Sequence, residues 1–362
     1  ASLAALLLGP RLGHLSGPID DPHSWRQCDT ANYAWAFYKE GIDLFRPSVC
    51  WMGAHKTVIL EFPLHEAVVA VAYRLLGYDL LYARLVTLAF FAGAAVYLFL
   101  LVRFLFDRLV AVWATAIYLV LPLGIFYSRA VHIDFCAVGL AHAMLYYWTR
   151  GYAENKPPLL AAGTACGVLA FLVKAPYAFY LLLPLGCLVA MRFSLTPRNR
   201  SQTPQHEGHE AASSPLVPAA VLRALRVLRE LRVGPDVRCG GSGDSPQTSK
   251  TFRRDGARRA FVLLALVAVP VLCFLAWRVH VDKVNRAAPD WFFIPGYFKF
   301  VGMADWYYGA MELRAKRGLW EVLGSRLLFE VTTQVGMALF IGGLAGSFFA
   351  ARRYGQNTIL FL

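Results

Sequence analysis

The feature that most constrains this chain is a series of long apolar runs separated by short links that carry arginine or lysine. A helix needs about 20 mostly apolar residues to cross a bilayer. Only 16% of the residues are charged and 57% are hydrophobic, which leaves too little polar surface for a soluble domain of this size. The sequence therefore predicts an all-α integral membrane protein, a multi-pass helical bundle with spanning helices at 80–102, 109–127, 135–149, 158–173, 176–191, 260–281 and 329–350.

The basic links alternate along the chain and predict how these helices are oriented. Lysine and arginine are enriched on the cytoplasmic side of membrane proteins. Assigning the basic links to that side places the links at 128–134, near 174 and at 282–328 on the outer face, together with residues 11–79. The net charge of +13 then reflects this orientation, and because no nucleic-acid-binding motif accompanies it, we expect no nucleic-acid partner.

Composition divides the chain into three parts. Residues 1–191 form the predicted membrane core, with a first outer loop at about 9–79. Residues 192–259 are rich in Ser, Pro, Gly and Arg and predict a disordered basic insert on the cytoplasmic side, since such a composition buries too little apolar surface to fold. Residues 260–362 predict further spanning helices and an outer aromatic loop at about 282–328. Both chain ends fall within apolar runs, so we expect the sequence to be part of a longer protein.

The first outer loop contains two predicted amphipathic helices that lie along the membrane surface. The first covers residues 31–40, with Asp29 and Thr30 at its start, where side-chain acceptors cap free backbone N–H groups. The second covers residues 62–76 and is too short and too polar to span the bilayer. Glu61 precedes it, at a position where the helix dipole favours a carboxylate.

Four charged residues are predicted to meet at the outer face: Asp29, Glu61, Asp134 and Lys174. Charged side chains at membrane depth are costly and usually functional. Three of these residues also have a purely structural explanation. Asp29 and Glu61 could simply stabilise the starts of helices, and Lys174 could extend its ammonium group to the membrane interface. Lysine and arginine suit a phosphate group, and carboxylates suit general-base catalysis or a divalent metal. The pattern predicts an amphipathic phosphate substrate whose tail lies in the lipid.

Four segments resemble the polyprenyl-phosphate-dependent GT-C glycosyltransferases, the group that includes the aminoarabinose transferase of lipid A and the protein O-mannosyltransferases. The segments are HSWRQCDTANYAWAFYKEG, EFPL, SRAVHID and LAFLVKAPYAFYLLLP, in that order within residues 1–191. The resemblance implies a GT-C membrane bundle with juxtamembrane amphipathic helices in the first outer loop. It also implies that Asp29, Glu61 and Asp134 are catalytic and that Lys174 binds the donor phosphate.

The same segments supply further site predictions. Arg129 is expected beside Lys174 at the donor phosphate. The residues expected to bind substrate are His23, Arg26, Gln27 and Tyr33.

Two features depart from the family pattern. The aminoarabinose transferases have Glu-Lys-Pro-Pro where this chain has EFPL, so the lysine after the glutamate is missing, with Lys56 or His55 as candidate substitutes. The family's metal-linked histidine has no clear match, and His280 is a weak candidate. No cofactor is therefore certain, and a divalent metal that includes Glu61 as a ligand stays open.

These observations lead to one expected function and two alternatives. We expect a membrane glycosyltransferase that moves a sugar from a polyprenyl-phosphate donor to an extracytoplasmic lipid, glycan or protein acceptor by inverting displacement. The resemblance favours the bacterial inner membrane, with an outward-facing site. The alternatives are a transporter or flippase of the lipid-linked sugar, and a non-catalytic scaffold whose acids cap helices.

Overall fold

The computed structural model describes residues 24–52, 56–105, 108–194, 246–287 and 311–331, together with the short stretches 7–9, 11–13, 15–19, 333–334, 336–338 and 341–342. Within these residues the regular structure is helical, apart from one isolated antiparallel bridge between Ser48 and Thr57. The principal helices are α1 (Ser24–Glu40), α2 (Leu64–Leu76), α3 (Leu80–Leu105), α4 (Arg108–Val120), α5 (Pro122–Ser128), α6 (Asp134–Ala153), α7 (Pro157–Ser194), α8 (Pro246–Asn285), α9 (Met311–Ala315) and α10 (Arg317–Arg326).

Among the described helices, α3 and the Pro157–Ala178 part of α7 are each long and apolar enough to cross a membrane. The 26 residues of α3 extend about 39 Å at a rise of about 1.5 Å per residue, which exceeds the hydrocarbon thickness of about 30 Å. The pair α4 and α5 qualifies as a third span if it is counted as one helix bent by 65°. The predicted class, an all-α membrane protein, is therefore confirmed.

The bend between α4 and α5 replaces the straight helix predicted at 109–127. Leu121 joins the two helices with an extended backbone (φ −58°, ψ 128°). Pro122 follows it directly, and a proline disfavours helical backbone at the residue before it. Proline itself is well accommodated in the first turn of the new helix, so the chain bends at this point and continues.

A second proline breaks α7 in its middle, where two separate spans were predicted. Lys174 has an extended backbone (φ −161°, ψ 88°) inside the helix. Pro176 has no N–H to donate to the carbonyl of Leu172 four residues earlier, and its ring crowds that carbonyl. The backbone N–H of Phe62 donates to the Leu172 oxygen instead, at 3.3 Å. The break thus supplies an acceptor that holds the segment leading into α2.

Helix α6 packs between α3 and α7 through close approaches at glycine. A Cβ added at Gly163 of α7 would lie 2.5 Å from Cδ1 of Trp148 on α6, and one at Gly167 would lie 2.7 Å from the Met144 sulfur. On the other side, a Cβ at Gly139 would lie 3.0 Å from the carbonyl oxygen of Phe90. Such small residues let membrane helices pack closely, where lipid offers no hydrophobic driving force for association.

Helix α1 starts at Ser24 rather than at residue 31, which corrects the predicted cap. Asp29 consequently lies inside the helix and does not cap it. Arg26 and Gln27 are good helix formers, so the local propensity extends the helix toward the N-terminus. The buried face of α1 includes Thr30, Tyr33 and the remaining residues Gln27, Ala34, Ala36 and Phe37.

Helix α8 also begins earlier than predicted, at Pro246 inside the stretch 192–259 that was predicted to be disordered. Residues 250–259 contain four arginines, which favour helix, and the segment continues into the apolar span. The rest of the predicted insert, at 195–245, lies outside the described residues. So do residues 288–310 of the aromatic loop and most of the span predicted at 329–350.

Candidate functional site

The first part of the site is an ion-pair cluster between α1 and the loop before α2. The Arg26 guanidinium donates through Nη2 to Oε1 of Glu61. Its Nη1 lies 3.9 Å from Oδ2 of Asp29, one helical turn along α1. The three side chains are partly buried. One arginine therefore neutralises two carboxylates that sequence analysis assigned to catalysis.

Burial and charge change the proton affinities in this cluster. Burial raises the pKa of Asp29, Arg26 opposes that rise, and the nearby charge of Glu61 adds to it, with a net upward direction. Burial alone would lower the pKa of Arg26, but the carboxylate of Glu61 outweighs it, so the guanidinium stays charged. Asp29 is consequently a stronger base than an exposed aspartate, which suits it to accept a proton.

The second part of the site joins α7 to the first turn of α6. Lys174 donates through Nζ to Oδ1 of Asp134 at 2.6 Å. Nδ1 of His132 lies 3.2 Å from the other carboxylate oxygen of Asp134. Asp134 is also the first residue of α6, where the helix dipole favours a negative charge. The carboxylate therefore accepts from Lys174 at the start of a helix, with the His132 ring beside it.

Two hydrogen bonds tie these clusters together. Gln27 of α1 accepts through Oε1 from the backbone N–H of Val131, at 3.0 Å, in the turn that leads to Asp134. The Phe62–Leu172 backbone bond joins the residue after Glu61 to the break in α7. The structure thus brings α1, the loop before α2, the 129–133 turn and the break in α7 to one part of the molecule.

Arg129 is close in sequence to Asp134 but forms no hydrogen bond or ion pair with the other site residues within the described part of the chain. Its guanidinium lies over the ring of Phe126, 5.8 Å from the centroid. Its Nε is buried without a hydrogen-bond partner among the described residues. A buried donor of this kind is costly unless something accepts from it, so this nitrogen is suited to an anion.

Gln27 and Tyr33, two of the residues expected to bind substrate, are buried in the structure. Gln27 is 1% exposed and Tyr33 is 4% exposed. The Tyr33 hydroxyl donates to the carbonyl of Val58 at 2.8 Å, three residues before Glu61. Both side chains therefore fix the loops that carry the charged residues. His23 lies outside the described residues.

Sequence reasoning missed a clamp on the loop that carries Glu61. Asn285, near the end of α8, accepts from the Ile59 N–H at 2.9 Å and donates to the Ile59 carbonyl at 2.8 Å. Asn285 is buried, although 226 positions separate it from Ile59. No local signal marks this asparagine, because its role depends on a contact between distant parts of the chain.

Glu66 is a buried acid that was not assigned a role. It lies in the first turn of α2, and its Oε2 has no hydrogen-bond partner among the described residues. Burial, with the charge of Glu61 adding to it, raises the pKa of Glu66 to about 8, although its own backbone N–H and the Arg26 charge act in the opposite direction. Glu66 is therefore mostly uncharged at neutral pH.

The described residues do not form a metal centre. They contain no group of three or more His, Cys, Asp or Glu side chains that would hold a metal ion. His280, the weak metal candidate, lies 2.9 Å through Nε2 from the Phe45 carbonyl oxygen. The Glu61 carboxylate is already paired with the Arg26 guanidinium. Lys56, proposed as a substitute for the missing family lysine, pairs with Glu40 at 3.1 Å rather than with Glu61.

Comparison with known families gives one match. Residues 61–204 match the family model described as dolichyl-phosphate-mannose-protein mannosyltransferase. The match includes Glu61, Arg129, Asp134 and Lys174 but begins after Asp29, and it covers less than half of the chain. Comparisons with curated proteins and with solved structures gave no match.

The family match and the helical membrane architecture together define a class of protein. They support a membrane glycosyltransferase that uses a polyprenyl-phosphate sugar donor. The similarity is to that family of mannosyltransferases, and it does not extend to a particular sugar or acceptor.

Proposed function

We propose that this chain transfers a sugar from a polyprenyl-phosphate donor to an extracytoplasmic lipid, glycan or protein in a single inverting displacement. The observation that carries the proposal is the linkage of two charge clusters. Arg26, Asp29 and Glu61 lie on α1 and in the loop before α2, and Lys174, Asp134 and His132 lie at the break in α7 and the start of α6. A donor of this class needs cations for its phosphate, a base for the acceptor and access for an apolar tail. The two clusters contain the first two of these elements.

Lys174 is the proposed ligand of the donor phosphate. An ammonium group has three N–H donors. One of them is given to Asp134, and neither of the others has a hydrogen bond to a described residue. A phosphate oxygen accepts one of these donors without displacing Asp134. The buried Nε of Arg129, in the turn that leads to Asp134, is the proposed second cationic donor.

The reaction forms one bond and breaks one. The acceptor oxygen attacks the anomeric carbon of the sugar while the bond from that carbon to the phosphate oxygen breaks. The electron pair leaves with the polyprenyl phosphate, whose growing negative charge Lys174 and Arg129 stabilise. The attacking group loses its proton to the carboxylate of Asp29, whose pKa is raised by burial. Because attack and departure occur on opposite faces, the anomeric configuration inverts.

The other carboxylates have positioning roles in this proposal. Glu61 fixes the Arg26 guanidinium, which otherwise would pair fully with Asp29 and weaken it as a base. Asp134 fixes the ammonium group of Lys174, and His132 lies against the other oxygen of that carboxylate. Glu61 and Asp134 also remain able to contact the acceptor or the sugar through carboxylate oxygens.

Transfer assays in isolated membranes test the proposal. Membranes that contain the chain are incubated with polyprenyl-phosphate donors carrying a labelled hexose or pentose, and labelled products are separated from donor by extraction. Asp29→Asn and Lys174→Ala are each expected to lower the rate about 100-fold or more, the usual cost of losing a group that stabilises or activates the reacting atoms. Lys56→Ala is the matched control, since it removes an exposed lysine that pairs with Glu40.

Three outcomes contradict specific parts of the proposal. A near-normal transfer rate in Asp29→Asn would show that Asp29 is not the base. An equal loss of transfer rate in Lys174→Ala and Lys56→Ala would show that Lys174 is not a specific phosphate ligand. Protected uptake of the lipid-linked sugar without any product identifies a flippase instead of a transferase.

A further inference from the structure

Two exposed cysteines in the first outer loop have no role in the chemistry described above. Cys28 lies on α1, directly before Asp29, and Cys50 begins a short helical turn, Cys50–Met52. Both are free thiols in the structure. Three further cysteines, in α6, α7 and α8, are buried or half-buried. Cys28 and Cys50 are therefore the most accessible thiols of the described residues.

The segment 47–52, which carries Cys50, lies along α1. Its Ser48 donates to the carboxylate of Glu40, the last residue of α1, at 2.8 Å. Lys56, on the returning part of the loop, donates to the same carboxylate at 3.1 Å. From this attachment the segment runs back along the helix and contacts its middle at Cys50. The direction of the segment is therefore toward the start of α1.

Asn32 holds Cys50 against α1 through two hydrogen bonds. Its Nδ2 donates to the Cys50 sulfur at 2.8 Å, and its Oδ1 accepts from the Cys50 N–H at 3.1 Å. The neighbouring residues add packing, because Val49 is buried against the ring of Tyr33. Polar and apolar contacts from adjacent residues of one helix thus fix the position of Cys50.

Helical spacing places Cys28 beside this contact. Cys28 and Asn32 are four residues apart, so their Cβ atoms are about 5–6 Å apart on one face of α1. Side chains of a helix lean toward its N-terminus, so the Asn32 amide lies over the turn that contains Cys28. The Cys50 sulfur touches that amide. The two thiols therefore share one exposed face of α1.

We propose that Cys28 and Cys50 form a disulfide that fastens the 47–52 segment to α1 beside Asp29. Rotation of the two exposed side chains and a small shift of the segment bring the Cβ atoms to the separation of about 3.5–4.5 Å that a disulfide needs. The inference rests on the outward orientation in the proposed function, because disulfides persist in oxidising compartments outside the cytoplasm.

The bond forms by thiol–disulfide exchange with a small disulfide such as oxidised glutathione. One cysteine thiolate attacks a glutathione sulfur, the glutathione S–S bond breaks, and one glutathione thiol leaves. The second cysteine then attacks the mixed disulfide and releases the other glutathione thiol. The protein loses two protons and two electrons, and oxidised glutathione gains them. The product closes a ring over residues 28–50, which restricts the motion of the segment relative to α1.

Peptide mapping of the unmodified full chain tests the proposal. Membranes that contain the chain are incubated with oxidised glutathione, the remaining thiols are blocked with N-ethylmaleimide in denaturant, and the protein is digested without reductant. Mass spectrometry is expected to find one peptide pair joined through Cys28 and Cys50, which dithiothreitol separates. Cys50→Ser should abolish the pair, and Cys273→Ser, the matched control on α8, should retain it. Recovery of both cysteines only as maleimide or glutathione adducts overturns the proposal.

Asn32→Ala tests the geometric basis. It removes both hydrogen bonds that hold Cys50 near Cys28, so the linked pair is expected to form about tenfold more slowly, the effect of about one net hydrogen bond. An unchanged rate would show that Asn32 does not bring the thiols together. Amide exchange of the unmodified chain at residues 47–52 should slow on oxidation, and no change there would show that the segment is not fastened.

The outcomes also separate this inference from the proposed function. Thiols that react with a membrane-impermeant maleimide only from the cytoplasmic side overturn both the disulfide and the outward-facing site. Sugar transfer by a chain whose two thiols stay reduced in oxidised glutathione overturns the disulfide alone. A linked pair in a chain that transfers no sugar from any donor contradicts the proposed function and leaves the disulfide standing.

Discussion

Asn285 provides the sharpest prediction, because it acts only through the loop that it clamps. The substitution Asn285→Ala removes both hydrogen bonds to Ile59, which is 1% exposed. Each buried backbone group left without a partner costs about 1–3 kcal/mol. Losing both therefore destabilises the closed loop by at least about 2 kcal/mol, which corresponds to an opening equilibrium about 30 times larger. Since Ile59 is two residues before Glu61, opening also releases Glu61.

Hydrogen exchange followed by mass spectrometry measures this opening directly. Amide exchange through local opening reports the free energy of that opening. The peptide covering residues 56–62 is expected to exchange about 30 times faster in Asn285→Ala than in the unmodified chain. Asn32→Ala is the control, because Asn32 makes a comparable pair of contacts with Cys50 at an exposed place in the same outer loop. It should leave exchange in the 56–62 peptide unchanged.

A second readout separates positioning from a general loss of structure. If Asn285 positions Glu61, sugar transfer by Asn285→Ala falls mainly through kcat, while the KM for the donor changes less, since Lys174 is held by other contacts. Unchanged exchange at residues 56–62 would refute the clamp. Equal acceleration of exchange throughout the chain would show instead that the variant unfolds.

Three further predictions test other parts of the structure. Glu66→Gln should become more stable relative to the unmodified chain as pH rises from about 4.5 to 8, because over this range Glu66 ionises in the unfolded chain but keeps its proton in the folded one, where its pKa is raised to about 8; paired thermal unfolding curves at several pH values measure this. Arg26→Gln should move the acidic limb of the pH–rate profile to higher pH, because Arg26 lowers the pKa of Asp29 in the unmodified chain; transfer rates measured across the pH range check this. Gly163→Ala should destabilise the bundle by about 1–3 kcal/mol through the clash with Trp148, measured by unfolding in detergent and compared with Gly93→Ala, which meets no atoms.

The helical class and the main elements could be predicted because apolar length is a local property of the sequence. The span predicted at 80–102 corresponds to α3, which extends only a few residues further. The second juxtamembrane helix, predicted at 62–76, is observed at Leu64–Leu76. Helix starts were less predictable. The sequence analysis took Asp29 and Thr30 as the start of α1, whereas residues such as Arg26 favour helix and extend it back to Ser24.

The partners of the charged residues were harder to predict than the residues themselves. Charge at membrane depth drew attention to Glu61 and Lys174 without showing which groups they contact. Arg26 was expected to bind substrate, and the structure has it paired with Glu61. Asn285 carried no signal, because its partner is distant in the sequence.

The proline in LVKAPYAF shows how one local feature gives the site its geometry. Pro176 removes the donor that Leu172 would use in a continuous helix, and the backbone of Lys174 becomes extended at the same place. An unbroken helix would leave no carbonyl for Phe62 and would point Lys174 along a regular helical face. With the break, one carbonyl is bonded by the segment that carries Glu61, and the adjacent lysine reaches Asp134 on another helix. The same backbone irregularity therefore positions the proposed phosphate ligand and attaches the loop that carries the second charge cluster.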